Sequence, residues 1–455
     1  MITWRPAAAV AVGTVVVASA GAATGGAAVP WLGALAVVLV VAAVVGVDLF
    51  LAADPRLVRL SRDGDRTIWL GQSASVGLVV HNRSARVLRA TVRDAWVPSA
   101  GAGPYASDLV LAPGAAARLL TTLTPTRRGD RPAVAVTVRA YGPLRMGYRQ
   151  QRQRAARAAT PPWTVRVLPP FSSRRFLPEK VARLRVLDGA SAIRGRGQGT
   201  EFDTLREYVA GDDVRSVDWR ASARRADVVV RTWRPERDRQ VLCVLDTGRT
   251  SAARIGDEPR LDAAIDAALL LATLAARAED RVDLLAIDTA VRASVATGRR
   301  AALPKLAAAL CRLNPALVET DFGLVTGEVL RRTRKRALVV LFTTLEPGAI
   351  GEGLLPVLPQ LAARHKVIVA AVHDPELERL ATVPAPVPAG APEPAARPVA
   401  GDVYLAAAAH RALAERDRVR AVLTRQGVEV VDAPIEIFAS KVADAYLAMK
   451  ASGRL

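Results

Sequence analysis

The stretch QVLCVLDTGRT, residues 240–250, decides the fold class of the C-terminal half of this chain. It places a continuous apolar run, Val241 to Leu245, directly before the acidic residue Asp246. A segment with helical periodicity follows from Leu261 to Arg277, and a second apolar run follows from Val282 to Ile287. Because buried strands that alternate with amphipathic helices are typical of a parallel sheet covered on both faces, we predict an open α/β layer here.

The same alternation continues towards the end of the sequence. Further strands are predicted at 337–342, 366–372 and 428–431, and further helices at 301–313, 322–332, 354–364, 404–425 and 435–449. A Pro/Ala-rich insertion, residues 382–401, interrupts the pattern and is typical of extended or disordered chain. We therefore predict one α/β domain over residues 240–455.

Composition limits the classes of protein to which the chain can belong. Its 455 residues are 51% hydrophobic and 23% charged, so they can fold into two or three domains and do not form a disordered tail. Cys243 and Cys311 lie in apolar runs without a Cys or His at metal-ligand spacing, and the four histidines are scattered. This excludes a disulfide framework and a zinc site, and it argues against catalysis by a histidine triad.

The first 53 residues predict a membrane anchor. Residues 6–47 carry no charge, and a Gly/Pro break divides them into two apolar halves, each long enough to cross a bilayer as a helix. We predict a two-helix transmembrane hairpin over residues 1–53. The alternative for its first half is a secretory signal with a cleavage site at Ala18 to Ala20.

Charges beside the apolar segment predict its orientation. Arg5 precedes the segment, Arg56 follows it closely, and residues 54–182 contain 21 Arg and one Lys against seven acidic residues. Because basic residues next to a span are retained on the cytoplasmic side, we predict a multi-pass protein of the cell membrane with a cytoplasmic C-terminal body. Asp48, near the end of the second span, is predicted to lie at the membrane interface.

Residues 54–170 predict a small antiparallel β-sandwich, because short runs of period-two alternation are separated by turn residues. The runs are Thr67–Leu70, Val76–His81, Arg89–Val97, Leu119–Thr124, Ala133–Ala140 and Trp163–Leu168. The arginine-rich residues 149–157 are interpreted as a solvated connector, with binding to nucleic acid or anionic lipid left open. Few aromatic residues lie here to stack on bases, so no nucleic-acid partner is expected.

The segment 171–239, which joins the two domains, contains the densest motifs. Basic and acidic residues interleave there, which predicts a lattice of ion pairs instead of the one-signed stripe that binds a phosphate backbone. Two carboxylate pairs, Glu201 with Asp203 and Asp212 with Asp213, could serve acid/base chemistry. We predict that nearby arginines hold these carboxylates ionised in salt bridges.

Twelve residues of this segment, spaced as they are, closely resemble the signature of the family called domain of unknown function 58. They are Glu201, Phe202, Asp203, Arg206, Tyr208, Gly211, Asp212, Asp213, Arg215, Asp218, Trp219 and Arg224. The resemblance continues with Glu319 to Asp321, with His373 to Pro375 and with the closing Tyr446 to Leu455. The predicted spans and sandwich are also similar to the family's common layout, so the resemblance covers nearly the whole chain.

The resemblance implies a domain similar to von Willebrand factor type A, a membrane tether, and a role beside AAA+ ATPases of the MoxR type. Type A domains carry a metal-ion-dependent adhesion site at the carboxyl edge of the sheet. By position, Asp246 and Thr250 match its first loop, and Thr320 matches its distant threonine. Gly248 replaces an expected Ser and Thr344 an expected Asp, so we expect a degenerate site with poor affinity for Mg²⁺ or Mn²⁺ and no required cofactor.

These features favour a membrane-anchored cytoplasmic adaptor over an enzyme, since no nucleophile with a base and an orienting group is readable. The expected partners are the bilayer and a MoxR-type ATPase, with a role in the assembly or maturation of a complex. One alternative is a metal-dependent hydrolase that uses the carboxylates of Asp203, Asp212, Asp213 and Asp218. Another is the binding of an anionic polymer through the arginine-rich residues 54–182.

Overall fold

The computed structural model comprises two compact units, residues 1–168 and 169–455. The residues that it describes are 1–24, 28–154, 161–194, 201–210, 212–225, 227–234, 239–256, 258–297, 302–382 and 400–453. The Pro/Ala-rich insertion predicted at 382–401 therefore lies almost wholly outside the described residues.

The first unit begins with two helices, α1 (Trp4–Thr24) and α2 (Ala28–Leu51). Among the described residues, the stretch Trp31–Leu57 is long and apolar enough to cross a membrane, whereas the apolar part of α1, Trp4–Ala20, is shorter. One N-terminal helix thus meets the requirement for a span, and the second span stays a prediction.

Small residues let the two helices approach each other closely. A Cβ added to Gly13 would lie 2.6 Å from Cγ1 of Val37, and a Cβ on Gly33 would collide with Val17. Glycines at such contacts bring helix backbones together, which is a common packing mode of helices in membranes.

The rest of the first unit is strand-rich. Its strands are β1 (Val58–Gly64), β2 (Thr67–Trp69), β3 (Ala74–Asn82), β4 (Leu88–Trp96), β5 (Ala102–Gly103), β6 (Ser107–Leu111), β7 (Ala116–Leu123), β8 (Gly129–Tyr141), β9 (Tyr148–Arg154) and β10 (Thr164–Leu168). One sheet has the order β1-β3-β7-β5 and the other the order β2-β10-β8-β4-β6, with β9 also paired to β8. Each of the six predicted runs is a strand.

The two sheets pack face to face and share their cores. One core cluster joins Val58 and Leu78 of the first sheet to Leu88 and Val136 of the second, as the alternating patterns require. The structure therefore contains the predicted β-sandwich, with one departure, since β2 and β10 pair parallel and not antiparallel. The sequence analysis missed β1, β5, β6 and β9. Strands β1 and β9 are rich in polar residues, and β5 and β6 are only two and five residues long.

Asp48 joins α2 to the turn between β8 and β9. Its buried carboxylate accepts hydrogen bonds from the backbone N–H groups of Leu144 and Met146, each at 2.7 Å, and of Gly147 at 3.1 Å. Gly142 has no room for a side chain, because a Cβ there would collide with Asp48. Asp48 thus fixes the end of the apolar helix to the sandwich, a role that the charge pattern alone did not indicate.

The second unit alternates helices and strands. Before the main sheet come α3 (Leu177–Arg194), β11 (Glu201–Glu207), α4 (Trp219–Arg225) and β12 (Val229–Arg234). The main layer and its edges then comprise β13 (Gln240–Asp246), α5 (Arg249–Ala252), β14 (Arg254–Ile255), β15 (Glu258–Pro259), α6 (Arg260–Arg277), β16 (Arg281–Ile287), β17 (Val291–Ala296), α7 (Ala302–Leu310), α8 (Phe322–Arg332), β18 (Leu338–Thr343), α9 (Leu358–Arg364), β19 (Lys366–His373), α10 (Pro375–Ala381), α11 (Ala400–Arg425), β20 (Glu429–Pro434) and α12 (Ile435–Ala451).

The six-stranded main sheet has the order β17-β16-β13-β18-β19-β20. All neighbouring strands are parallel except β17, which is antiparallel to β16. The strand order reverses direction between β13 and β18. This point, where successive crossovers leave the sheet on opposite sides, is where open α/β sheets usually bind ligands.

Helices cover both faces of this sheet, as predicted. On one face, Phe322 and Val325 of α8 and Leu361 of α9 pack against Leu242 and Val339 of the central strands. Helices α6 and α12 pack together, and α6 also contacts β13 while α12 contacts β19 and β20. Strands β13 and β18, which are apolar except at their ends, are therefore buried on both sides, and this explains why they could be predicted from the sequence.

Candidate functional site

The candidate site lies at the carboxyl ends of β13 and β18, the two central strands. Asp246 is the last residue of β13, and Thr343 is the last residue of β18. Because these strands are parallel neighbours, their ends meet at the same edge of the sheet, at the point where the strand order reverses. The edge is the one predicted from the sequence.

Asp246 is buried at this edge, with 2% of its surface exposed. Its carboxylate accepts hydrogen bonds from the backbone N–H of Gly248 at 2.8 Å, from the hydroxyl of Thr343 at 2.7 Å, and from the hydroxyl of Thr320. The hydroxyl of Ser251 donates to the Asp246 carbonyl oxygen at 2.7 Å. Three loops are therefore tied to a single carboxyl group.

Burial raises the pKa of Asp246, and the hydrogen bonds from Thr320, Thr343 and Gly248 partly oppose this rise. Both carboxylate oxygens are already engaged, Oδ1 by Gly248 and Thr320 and Oδ2 by Thr343. A divalent cation would have to displace these donors and would find no second carboxylate among its expected ligands. The residues present therefore do not fit Mg²⁺ or Mn²⁺ well.

Gly248 explains why the first loop lacks the expected serine. A Cβ at this position would collide with the hydroxyl of Thr320 and would lie 2.9 Å from the carbonyl oxygen of Val318. The Thr320 hydroxyl thus occupies the space that a serine side chain would need. The hydroxyl that residue 248 lacks is therefore replaced by the hydroxyl of Thr320, which fills the space beside Gly248.

Thr250 and Thr344, the other two predicted ligands, are buried, but neither is among the described residues that donate a hydrogen bond to Asp246. Both line a neighbouring pocket, and the Thr344 hydroxyl lies 3.5 Å from Nη1 of Arg260. The structure therefore brings Asp246 and Thr320 together and places Thr250 and Thr344 beside them. Thr343, which does bind Asp246, and Arg260 were not among the predicted ligands.

A second buried carboxylate, Asp288, follows the adjacent strand β16. It accepts a hydrogen bond from the Thr247 hydroxyl at 2.9 Å and forms an ion pair with Arg292 at 2.7 Å. Burial alone would raise the pKa of Asp288, but the hydrogen bonds from Arg292, Thr247 and Ala290 lower it overall. Its position in the sequence could have indicated this residue. Asp288 comes directly after the apolar strand β16, just as Asp246 comes at the end of β13.

The family motif residues form a separate small module. Strands β11 and β12 pair antiparallel, and α4 lies between them in sequence. Asp212 pairs with Arg206 at 2.5 Å, and that hydrogen bond, with one from the Val209 N–H, lowers the pKa of Asp212. The ion pair predicted for Asp212 is therefore present.

The other described carboxylates of the motif cap short helices. Asp213 accepts a hydrogen bond from the backbone N–H of Arg215 at 3.0 Å. Asp218 accepts from the N–H groups of Arg220 and Ala221 at the start of α4 and pairs with Arg231 at 2.8 Å. Each therefore has a local structural partner, and among the residues with described side chains no group of three or more His, Cys, Asp or Glu could hold a metal ion.

The remaining motif residues fall into two groups. Tyr208, Arg215, Trp219 and Arg224 are exposed, and Trp219 is 66% accessible to solvent. The structure describes the backbone of Glu201, Phe202 and Asp203 in β11, but their side chains, like Gly211, lie outside the described residues. Whether the Asp203 carboxylate lies close to those of Asp212, Asp213 and Asp218 is therefore not tested, and their convergence stays a prediction.

The motifs near the end of the chain serve the fold. The Tyr446 hydroxyl donates to the buried carboxylate of Asp280, and the Lys450 ammonium lies 3.2 Å from it, so α12 is tied to the turn before β16. In the motif at 373–375, His373 lies 3.3 Å from Asp432 of β20, and Asp374 caps α10.

These features define an α/β protein with an apolar N-terminal helix, a β-sandwich and an open sheet whose switch point holds a hydrogen-bonded carboxylate. Residues 204–386 match the model of the family described as protein of unknown function DUF58. Over these residues the match supports the family resemblance that the motif residues indicated. The match begins after Glu201 to Asp203 and ends before the motif at 446–455, so those assignments rest on the sequence resemblance.

Three mycobacterial proteins are similar to this chain. They are the uncharacterized proteins Mb1516 of Mycobacterium bovis and MT1527 and Rv1480 of Mycobacterium tuberculosis. Each is 29% identical over 187 residues, which are 39% of this chain and 56% of the relative. The chain thus spans about half the length of the curated relatives that it matches.

Proposed function

We propose that this protein is a membrane-anchored adaptor whose second unit binds a partner protein on the cytoplasmic side of the membrane. The partner that family resemblance favours is a MoxR-type AAA+ ATPase, and the process is the assembly or maturation of a complex. The second unit is taken to be a domain similar to von Willebrand factor type A. In support, its acidic residue Asp246 lies at the switch point of a sheet with β13 at its centre.

The hydrogen bonds that Asp246 accepts are the main observation in support of this proposal. A carboxylate that performs acid/base or metal chemistry needs at least one oxygen open to substrate or metal. The Asp246 oxygens accept from Gly248, Thr320 and Thr343 and hold three loops in a fixed arrangement. This favours a preformed recognition edge with a degenerate adhesion site over a catalytic centre.

The motif module offers a second surface for a partner. Val209, Val214 and Trp219 are each more than half exposed within a short stretch of chain. Exposed apolar groups that form a patch are typical of protein-binding sites, and aromatic residues often supply most of the binding energy. We assign contact with the ATPase partner to this module.

Affinity capture tests the adaptor role. The full chain, tagged and purified from its native membrane, is expected to retain an AAA+ ATPase, and Trp219→Ala should reduce the captured amount at least tenfold. Tyr105→Ala, which removes an exposed aromatic residue of the sandwich, is the matched control and should leave capture unchanged. Repeated capture without any AAA+ ATPase would refute the proposed partner.

Membrane topology can be tested with cysteine labelling. Both native cysteines are buried, and burial raises the pKa of Cys243 to about 12, so neither should react in the folded protein. A cysteine introduced at the exposed residue Ala106 should react with a membrane-impermeant maleimide only after the cells are lysed. Labelling in intact cells would place the body outside the cytoplasm.

The two alternative functions gain no support from the described contacts. For the hydrolase, Asp212, Asp213 and Asp218 are each bound by arginines or backbone N–H groups instead of facing one another across a cleft. For the anionic polymer, not all of the arginines in residues 54–182 are free to bind, since Arg62 is buried and pairs with Asp94 in the sandwich core. The exposed arginines beside the apolar helix are assigned to anionic lipid.

A further inference from the structure

A half-open pocket lies beside Asp246 at the carboxyl edge of the main sheet. Its wall includes Thr250, Ser251, Arg260, Thr343, Thr344 and Phe438. It encloses about 280 Å³ when its open mouth is included, and its enclosed part has room for about one water molecule. The pocket is therefore narrow, polar on one side and apolar on the other.

Arg260, the first residue of α6, brings a positive charge into this pocket. Its Nε atom is buried and has no hydrogen-bond partner, and its Nη1 atom has only the long 3.5 Å contact with the Thr344 hydroxyl. Within the part of the chain that the structure describes, no carboxylate lies within 4.0 Å of the guanidinium. A buried donor on a charged group is costly to leave unpaired, so this arrangement favours a negative group from outside.

We infer that the pocket is a binding site for a single carboxylate, with Arg260 as its cationic group. The planar guanidinium suits the two oxygens of a carboxylate, and the hydroxyls of Thr250 and Thr344 line the same space as further donors. In this arrangement the arginine supplies the positive charge that a metal ion supplies in an adhesion site. The ligand is then bound without a metal.

The surroundings favour a carboxylate over a phosphate. Arg416 repels Arg260 from a distance, whereas Glu346, Asp374 and Asp432 attract it, and Asp432 is already paired with Arg416 at 2.6 Å. These acidic groups would repel a doubly charged phosphate more strongly than a singly charged carboxylate. The enclosed part has room for about one water molecule, hence for one carboxylate oxygen, and the second oxygen would lie in the open mouth.

This inference deepens the proposed function and rests on it for the source of the ligand, an acidic side chain of the partner protein. The site itself can be tested without that partner. Acetate is a suitable probe because it is the smallest carboxylate with a methyl group that proton NMR can observe. Saturation transfer from the protein to the acetate methyl group detects even millimolar binding to the full chain in detergent.

The full chain should give a saturable transfer signal with acetate at constant ionic strength. Arg260→Gln should weaken acetate binding at least tenfold, and Thr344→Val, which keeps the volume of the side chain, should weaken it less. Arg277→Gln, at the exposed end of the same helix, is the matched control and should bind acetate like the natural chain. Inorganic phosphate should compete poorly.

Three results would overturn the inference. They are the absence of a saturable signal with the natural chain, an unchanged signal in Arg260→Gln, and displacement of acetate by a lower concentration of phosphate. Because acetate binding needs no partner protein, a negative result here leaves the affinity capture of an ATPase unaffected. Conversely, failure to capture an ATPase would refute the adaptor role and leave the carboxylate site standing.

Discussion

The hydroxyl of Thr320 lies in the space that a side chain on Gly248 would need. A Cβ at residue 248 would collide with this hydroxyl, which also donates a hydrogen bond to Asp246. Gly248 and Thr320 therefore depend on each other, because the threonine hydroxyl fits only while residue 248 has no side chain. The first loop gives up a hydroxyl, and the loop before α8 supplies one to the same carboxylate.

Gly248→Ser is accordingly expected to damage the site instead of restoring it. Residue 248 is buried, so the added side chain must push Thr320 away, at a cost of about 1–3 kcal/mol in the free energy of unfolding. Denaturant unfolding of the full chain in detergent measures this cost.

The double variant Gly248→Ser with Thr320→Ala is the control for this clash. It makes room for the serine, so its destabilisation should be smaller than the sum of the two single effects by at least about 0.5 kcal/mol. Strictly additive effects would show that the two residues do not compete for space.

Divalent metal should bind the natural chain weakly. Since Asp246 is the single carboxylate of the predicted quartet and already accepts three hydrogen bonds, Mg²⁺ or Mn²⁺ gains too little to lose its water ligands. Isothermal titration should show no binding tighter than about millimolar. A micromolar signal that disappears in Asp246→Ala would contradict this account.

The sequence predicted the edge of the sheet better than the contacts made there. Asp246 could be placed because a buried strand and its end are visible in a continuous apolar run. The sequence analysis assigned the position after β18 to Thr344, but which of two adjacent hydroxyls faces the carboxylate depends on where β18 ends. The structure selects Thr343.

Arg260 shows a different limit of sequence reasoning. It opens α6, and helical periodicity describes only which face of that helix packs on the sheet. That its side chain reaches the carboxyl edge near Thr344 depends on how α6 is placed by the loops before it. The edge strand β17 was missed for a simpler reason, because its apolar residues alternate with polar ones and do not form a continuous apolar run.

Lys450→Met should strongly destabilise the second unit. Asp280 is buried and Lys450 is partly buried, with 3.2 Å between the ammonium and the carboxylate. Removal of Lys450 leaves the buried Asp280 carboxylate with the Tyr446 hydroxyl and the charge of Arg239. We expect a loss of about 3–5 kcal/mol in the free energy of unfolding. The double variant Lys450→Met with Asp280→Asn should recover part of it, and a larger loss in the double variant would argue against the pairing.

Asp218 should stabilise the start of α4 in a pH-dependent way. Hydrogen bonds from the Ala221 N–H and from Arg231 hold the pKa of Asp218 below its ordinary value. Because the folded-state pKa is the lower one, this stabilisation is present above the ordinary value of about 3.9 and is lost as the pH falls through the folded value.

Hydrogen exchange of the α4 amides measures this effect. Exchange should be faster in Asp218→Asn, which keeps a capping oxygen but loses the charge, and faster still in Asp218→Ala, which loses both. The difference between the natural chain and Asp218→Asn should shrink below about pH 4. A difference that stays constant with pH would show that the charge of Asp218 does not matter.

Asp48→Ala should loosen the joint between α2 and the sandwich. The substitution leaves the backbone N–H groups of Leu144, Met146 and Gly147 without their acceptor, and unpaired buried donors cost about 1–3 kcal/mol. These amides should therefore exchange with solvent at least about tenfold faster, while amides in β13 of the other unit should not change. Asp48→Asn keeps one carbonyl oxygen as an acceptor and should give an intermediate effect. Equal exchange in all three chains would mean that the turn between β8 and β9 is held by the strands alone and that the apolar helix is free to move relative to it.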